Sequence, residues 1–357
     1  MNSINDINFE DITVVVQGTT LENKDINPSK DFIYVCISSI KNWLPKAKII
    51  LSTWENEKTN LDLDKLDAQE IIFNKDPGFK PRGEDINGKQ NNINRQIVSA
   101  LSGLKKVKTK YALKFRTDFI FINNSFLNYF DLLKKYNSDY KVVNKRILVC
   151  MFGSRKPIAK HFNLPFHIAD FTTFGLTEDL INLYDIPLVT NEEFDYFLVN
   201  REIERGTHAV NRYNAEQSII VNFLRKNNKT IDIEYCTQVN DNIINQSNNY
   251  LINNFYPICF SKYGIMPMKN YLMPSFKIDF YTDYYTEYEW RKMYKELVDD
   301  SLVLPKKDYE RIFINKVIKK LEFLNKLKNY NKFLPRFVNR KIRRDIENIK
   351  IEIDEVL

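Results

Sequence analysis

The sequence predicts an α/β protein built on a mostly parallel sheet flanked by helices. Three observations carry that expectation. Short β-branched runs alternate with stretches of helical period. The order strand, helix, strand, strand, helix, strand is complete between residues 11 and 118, and right-handed crossovers then make the strands parallel. The four strand-like runs of that stretch also end on polar residues.

The elements follow in order. Asp11 to Gln17, closed by Gly18, is the first strand, rich in valine. Asn27 and Pro28 have the form of a helix cap followed by its first residue. Phe32 to Leu44 is amphipathic, with apolar residues at 33, 36, 37, 40 and 44, and stops at Pro45. Lys48 to Trp54 is the second strand; Glu70 onward is the third, with a turn at Asp76-Pro77-Gly78. A polar loop from Phe79 to Asn92 leads into a helix over Ile93 to Val107. Lys110 to Asp118 is the fourth strand. Ligands of such sheets bind at the carboxyl ends of the strands. Four polar ends face that edge: Gln17-Gly18, Ser52-Thr53, Asn74 to Asp76, and Arg116 to Asp118.

The second half is less regular. Arg146 to Phe152 reads as a core strand, and His167 to Leu176 begins polar and turns apolar. Thr177 is placed to cap a helix with Glu178 and Asp179 in its first turn. Asn214 and Gln217 have capping-box spacing ahead of an apolar helix. Residues 235–290, rich in Tyr, Phe and Asn, are expected to pack over the sheet edge.

Composition removes several classes. With 25 Phe and 20 Tyr the chain can bury a core, so disorder is disfavoured. Four scattered cysteines without a CxxC argue against a zinc ribbon or a disulfide framework, and three histidines against a multi-His cage. No stretch approaches the ~18 apolar residues of a membrane helix. Met1 to Glu10 lacks the pattern of a secretion signal, so the expected address is cytoplasmic. Only nine glycines, with no GxGxxG and no GxxxxGK[ST], disfavour a glycine-cradled phosphate.

Charge is uneven. From Lys306 to Arg344 there are fourteen Lys and Arg against three acidic residues. Apolar positions at 314, 317, 318, 321 and 324 make part of this arm a basic amphipathic helix. Two readings stand: a helix on an anionic membrane, or one packed on the body with a solvated lysine face. Nucleic acid is not expected, since no recognition motif accompanies the basic tail.

Arg116-Thr117-Asp118 stands where a strand leaves the sheet. Its carboxylate can take Mg²⁺ or Mn²⁺ together with phosphate oxygens, and its guanidinium can grip an anion in bidentate fashion. The same residues also make an ordinary strand-ending ion pair. Asp170 and Glu216 are candidate general bases, Asp170 because an aromatic surround (Phe166, Phe171, Phe174) raises a carboxyl pKa. Glu216 also suits a helix first turn on electrostatic grounds alone. His167 is placed to orient Asp170 or touch a phosphate, or else is a satisfied structural residue; Asn94 and Arg95 either meet an anion at a helix start or are merely solvated.

At these blocks the chain resembles the WavE lipopolysaccharide synthesis family. The resemblance runs through Asp11 to Gly18, Ile49 to Glu55, Asn74 to Gly78, Asn94 to Ser99, Lys110 to Asp118, Phe166 to Asp170, Phe174 to Asp179 and Arg212 to Gln217. It implies a GT-A-like, Rossmann-like glycosyltransferase acting in assembly of lipopolysaccharide or another bacterial surface glycan. It implies further that Gln17, Gly18, Thr53 and Asp76 line a nucleotide pocket and that Arg116 and Asp118 occupy the ends of a DxD element. Because Arg116 replaces the first acid there, a divalent cation at Asp118 is one expectation and direct neutralisation of phosphate by arginine the other. Asp170 and Glu216 fall where such enzymes place acceptor- and donor-facing acids.

The expected organisation is a catalytic domain over residues 1–300, with a nucleotide-binding half (1–125) and an acceptor half (126–300), then the basic helical arm (301–357). The expected partners are a nucleotide-sugar donor, a lipid-linked or oligosaccharide acceptor, and the inner-membrane surface met by the arm. A nucleotidyltransferase shares the half-sheet, but its glycine-rich basic loop does not follow Gln17-Gly18-Thr19-Thr20. A non-catalytic membrane-associated scaffold is the reading from another class.

Overall fold

Seven strands form one sheet at the centre of the protein, and the polar ends singled out above meet on one of its rims. The computed structural model describes residues 7–28, 30–63, 65–81, 90–159, 162–203, 210–269, 283–304 and Arg344. Two compact units divide the chain: Met1–Phe276 with Phe280–Asp300, and Lys277–Asp279 with Ser301–Leu357. Nearly all of the basic arm lies outside the described residues. Among those residues, no helix is long and apolar enough to cross a membrane.

The first unit opens with β1 (Ile12–Gln17), α1 (Phe32–Trp43), β2 (Lys48–Trp54) and β3 (Glu70–Asn74). The short pair β4 (Lys80–Pro81) and β5 (Gln90–Asn91) precedes α2 (Ile93–Leu104), β6 (Tyr111–Arg116) and β7 (Phe119–Phe121). Then come β8 (Ile147–Cys150), β9 (Thr173–Leu176), α3 (Thr177–Tyr184), α4 (Asn191–Phe194) and α5 (Tyr196–Val199). The remainder is α6 (Ala215–Lys226), α7 (Asp241–Asn254), β10 (Phe255–Ile258), α8 (Phe260–Tyr263), β11 (Ile265–Pro267) and α9 (Glu287–Leu297).

The sheet order is β10-β8-β9-β6-β1-β2-β3. Six strands run one way; β9 alone is antiparallel to its neighbours β6 and β8. All six residues of β1 are buried, as befits a central strand covered on both faces. The apolar stripe of α1 buries Phe32, Ile33, Cys36, Ile37 and Ile40, and α2 seats Gly103 against Val15 of β1.

The reversal of β9 decides the site. Its first residue, Thr173, pairs with Lys114 near the carboxyl end of β6. The segment entering β9, which carries His167 and Asp170, is thereby delivered to the same rim as Arg116. Separately, β7 pairs antiparallel with β11, and the backbone N–H of Met268 donates to the carbonyl of Asp118 at 2.9 Å. This short ribbon leads Lys269 to that rim.

Three expectations are corrected. Asn27 and Pro28 do not start α1, whose cap is Asp31. Asn27 instead donates its backbone N–H to Met268 O, and Ile26 bridges to Lys269. Thr177 is the first helical residue of α3 and not its cap, because its hydroxyl donates back to Thr109 O at 2.7 Å. The stretch 235–290 does more than cover an edge: it supplies β10, which is the edge strand.

Candidate functional site

Register brings the ends of three strands side by side. Gln17 stands opposite Ser52 on β2 and Arg116 on β6. The Gly18 N–H donates to Ser52 O and the Thr117 N–H to Gln17 O, each at 3.2 Å. Gly18 turns the chain away with φ +127°, and a Cβ there would press on the Thr117 hydroxyl. Gln17 is itself tied to α2, its side-chain oxygen accepting from the Ser99 hydroxyl.

Thr53 donates its hydroxyl to Glu57 at 2.6 Å. The same buried carboxylate accepts from both Thr20 groups, amide N–H and hydroxyl, and from the Thr19 hydroxyl. Glu57 thus fastens the chain leaving β1 to the end of β2. Sequence reasoning passed it over, because nothing local marks an acid in a short 3-10 turn as a hub.

Asp76 and Arg95 spend their charges on each other. Arg95 Nε donates to Asp76 Oδ1 at 2.7 Å and its Nη2 to Oδ2, while the guanidinium lies 4.9 Å from the Phe79 ring. Hydrogen bonding from Arg95 holds the Asp76 carboxyl below its ordinary range, against a partial desolvation that raises it. Asn94 exchanges two hydrogen bonds with the Val189 backbone and so pins the loop before α4.

Asp118 lies at the centre of a charged cluster. Arg116 grips it with two parallel bonds, Nε to Oδ1 at 2.9 Å and Nη2 to Oδ2 at 2.8 Å, and Lys269 Nζ approaches Oδ2 at 2.6 Å. Burial alone would raise the carboxyl pKa, but the two cations prevail and hold it far below the usual carboxylate range. The guanidinium sits 5.6 Å from the Phe171 ring and 6.0 Å from that of Phe119.

This arrangement does not fit a resident divalent cation. Both oxygens of Asp118 already accept from positive groups.

Beside this cluster lies a second, close enough for the Arg116 charge to act on Asp170. Asp170 and Glu216 line one water-sized hollow of about 10 Å³ together with Thr173, Tyr184, Ile168 and Val149. Asp170 Oδ2 has no hydrogen-bond partner among the described residues. Burial raises the Asp170 pKa, Lys114 opposes that, and Glu216 adds to it. The direction is the expected one. The cause is burial; Phe166, Phe171 and Phe174 do not line the hollow itself.

Lys114, fully buried on β6, donates to the backbone carbonyl of Asp170, and its Nζ lies 3.9 Å from Oδ2. Burial lowers its pKa to about 8 despite the Asp170 charge, with Arg116 pushing the same way. A lysine in the middle of a run such as Tyr111-Ala112-Leu113-Lys114-Phe115 was the signal that could have found it.

His167 Nδ1 lies 2.9 Å from Gly153 O, and Nε2 is 3.5 Å from Glu216 Oε2. Burial, then the Arg155 charge, lowers its pKa to about 3, so the ring is neutral and the Glu216 approach is no ion pair. A neutral ring donating through Nδ1 to the carbonyl presents a lone pair on Nε2, beside the carboxylate. His167 is thus held by Gly153 through Nδ1 and faces Glu216 through Nε2, within electrostatic reach of Asp170.

An α/β protein with a mostly parallel sheet and two charged clusters gathered at its carboxyl rim belongs to a class that takes ligands at that edge. The chain is a member of the WavE lipopolysaccharide synthesis family, whose model matches residues 12–325. No curated protein matches it. Among solved structures it is similar to a 4-diphosphocytidyl-2C-methyl-D-erythritol synthase from Anaerococcus prevotii, at 10% identity and TM-score 0.30, covering 60% of this chain and 96% of that one. A cytidylyltransferase from Leptospira borgpetersenii matches at 17% identity and TM-score 0.28, covering 54% and 70%. Likenesses this loose carry no argument about activity.

Proposed function

We propose that the chain is a GT-A type glycosyltransferase that moves a sugar from a nucleotide-sugar donor to a lipopolysaccharide or other bacterial surface-glycan acceptor. The observation that supports this most is the meeting of the Arg116 cluster with the buried Asp170 and the partly buried Glu216 on one rim. Arg116 would meet the leaving diphosphate, where most negative charge develops. Gln17, Gly18 and Thr53 would border the nucleotide, with Glu57 holding their loop. Asp76 and Arg95 would act as a pair at its far side, and Asn94 behind them.

Asp170 or Glu216 would take the proton of the acceptor hydroxyl as its oxygen bonds the anomeric carbon and the carbon–diphosphate bond breaks. A hydroxyl between Glu216 Oε2 and His167 Nε2 would face two proton acceptors. The basic arm would keep the enzyme near a lipid-linked acceptor at the inner membrane.

The test is a thermal-shift panel of UDP-, GDP-, CMP- and TDP-linked sugars. One class should stabilise the protein, since ligand at a hundred times Kd contributes about 2.7 kcal/mol. No shift with any donor rejects the assignment. Release of pyrophosphate from a nucleoside triphosphate and a sugar phosphate would move it to the nucleotidyltransferases.

A further inference from the structure

We infer that Arg116 and Lys269 form a cationic fork for the donor's diphosphate, and that Asp118 stands in for phosphate when the fork is empty and does not serve as a metal ligand. The inference rests on the glycosyltransferase reading and deepens it, naming how the donor is gripped.

Two cations from distant parts of the chain close on one carboxylate. Arg116 comes from the end of β6, and Lys269 follows β11. Their three contacts of 2.9, 2.8 and 2.6 Å leave neither Asp118 oxygen unengaged. Accessibility orders the charges: the Asp118 side chain is 6% exposed, those of Arg116 and Lys269 are 21% and 16%. A group arriving from solvent meets positive charge before it reaches the acid.

For a divalent cation that order is unfavourable. To bind Asp118 at about 2.0–2.1 Å as Mg²⁺ does, it would stand against two like charges and displace both from the carboxylate. For a diphosphate the order is favourable. Phosphate oxygens match the guanidinium fork as a carboxylate does, and the ammonium adds a point charge. The guanidinium lies beside the adjoining Phe119 and Phe171 rings, at 6.0 and 5.6 Å from their centres, which favours its place at the rim before the ligand arrives. Asp118 mimics that ligand and keeps the two cations together in its absence.

Calorimetric titration of the full-length protein with UDP, GDP and TDP, in EDTA and again in MnCl₂, decides the matter. One nucleotide should bind with affinities within about threefold of each other in the two buffers. Arg116→Gln and Lys269→Met should each weaken binding by about 10- to 100-fold in EDTA. Asp118→Asn, which removes the stand-in carboxylate charge, should keep binding in EDTA or tighten it. Melting temperatures check that each variant is folded, and the comparison of the two buffers on the unaltered protein needs no variant. Binding that requires Mn²⁺, or is lost in Asp118→Asn, overturns the inference and leaves the glycosyltransferase reading in place. No binding of any nucleotide in either buffer overturns both.

Discussion

Lys114 Nζ lies 3.9 Å from Asp170 Oδ2, with both side chains shut away from solvent. Each group makes the other's charge tolerable, so removing one leaves the other stranded. Lys114→Met should cost roughly 3 kcal/mol or more at neutral pH, by the usual penalty for breaking a buried pair. Its pH signature is separate. The folded pKa of about 8 lies below the roughly 10.4 of an unfolded lysine. Between those values the unfolded chain binds the extra proton, so this group makes stability rise with pH. Urea unfolding of both proteins across that window should show the rise in the wild type only. Parallel curves would refute the lowered pKa of the buried lysine.

His167 gives the acid-side counterpart. Its folded pKa of about 3 lies below the ordinary 6.5, so the unfolded chain takes up a proton that the folded one refuses. Stability from this group is therefore present above about 6.5 and is lost as pH falls toward 3. In NMR titration, the His167 ring signals should stay flat through the range in which an exposed histidine charges. An inflection near 6.5 would contradict the enclosed, neutral ring.

Glu57 gathers four hydrogen bonds at the joint between β1 and β2. Glu57→Ala should destabilise by about 2–3 kcal/mol, because the buried Thr53 hydroxyl and three part-buried donors lose their acceptor at once. Glu57→Gln keeps the shape and should lose less. Both should also weaken donor binding, since Thr19 and Thr20 leave the strand end that Gln17 and Gly18 form. A denaturation series paired with donor titration reads both effects; a Glu57→Ala midpoint equal to the wild type removes Glu57 as the hub.

Gly264 ends α8 with φ +76°, and an added Cβ would run into the carbonyl and side-chain oxygens of Asn123. Gly264→Ala should cost about 1–3 kcal/mol through backbone strain and overpacking. It should also loosen nucleoside diphosphate binding, because the turn starts the strand that leads to Lys269. Unchanged melting and unchanged affinity together would show that the turn tolerates a side chain.

Much of the sheet was legible because burial writes itself into sequence. The run Thr13-Val14-Val15-Val16 and the stripe of α2 admit few other readings, and right-handed crossovers fix their order. Strand direction is not written that way. An apolar run such as Thr173-Phe174-Gly175-Leu176 reads the same parallel or antiparallel, and only the fold shows that β9 is reversed and lifts Asp170 to the rim. The site was half visible for a related reason. Strand ends could be named in advance, whereas Asp76 meeting Arg95, or Lys269 meeting Asp118, depends on a packing that no local spacing encodes. Asn27-Pro28 misled because a sound capping pair was claimed first by Met268.

The pairing of β7 with β11 also sets an order of assembly. Synthesis proceeds from the N-terminus, and contacts between distant segments form late. While β11 is still undelivered, β1, β2 and β6 have long been available to associate, yet Asp118 has only its near neighbour Arg116 and Ile26 lacks its bridge to Lys269. One slender antiparallel ribbon therefore completes the rim, and a nascent chain arrested before it would carry a finished sheet centre with its second positive charge still inside the ribosome.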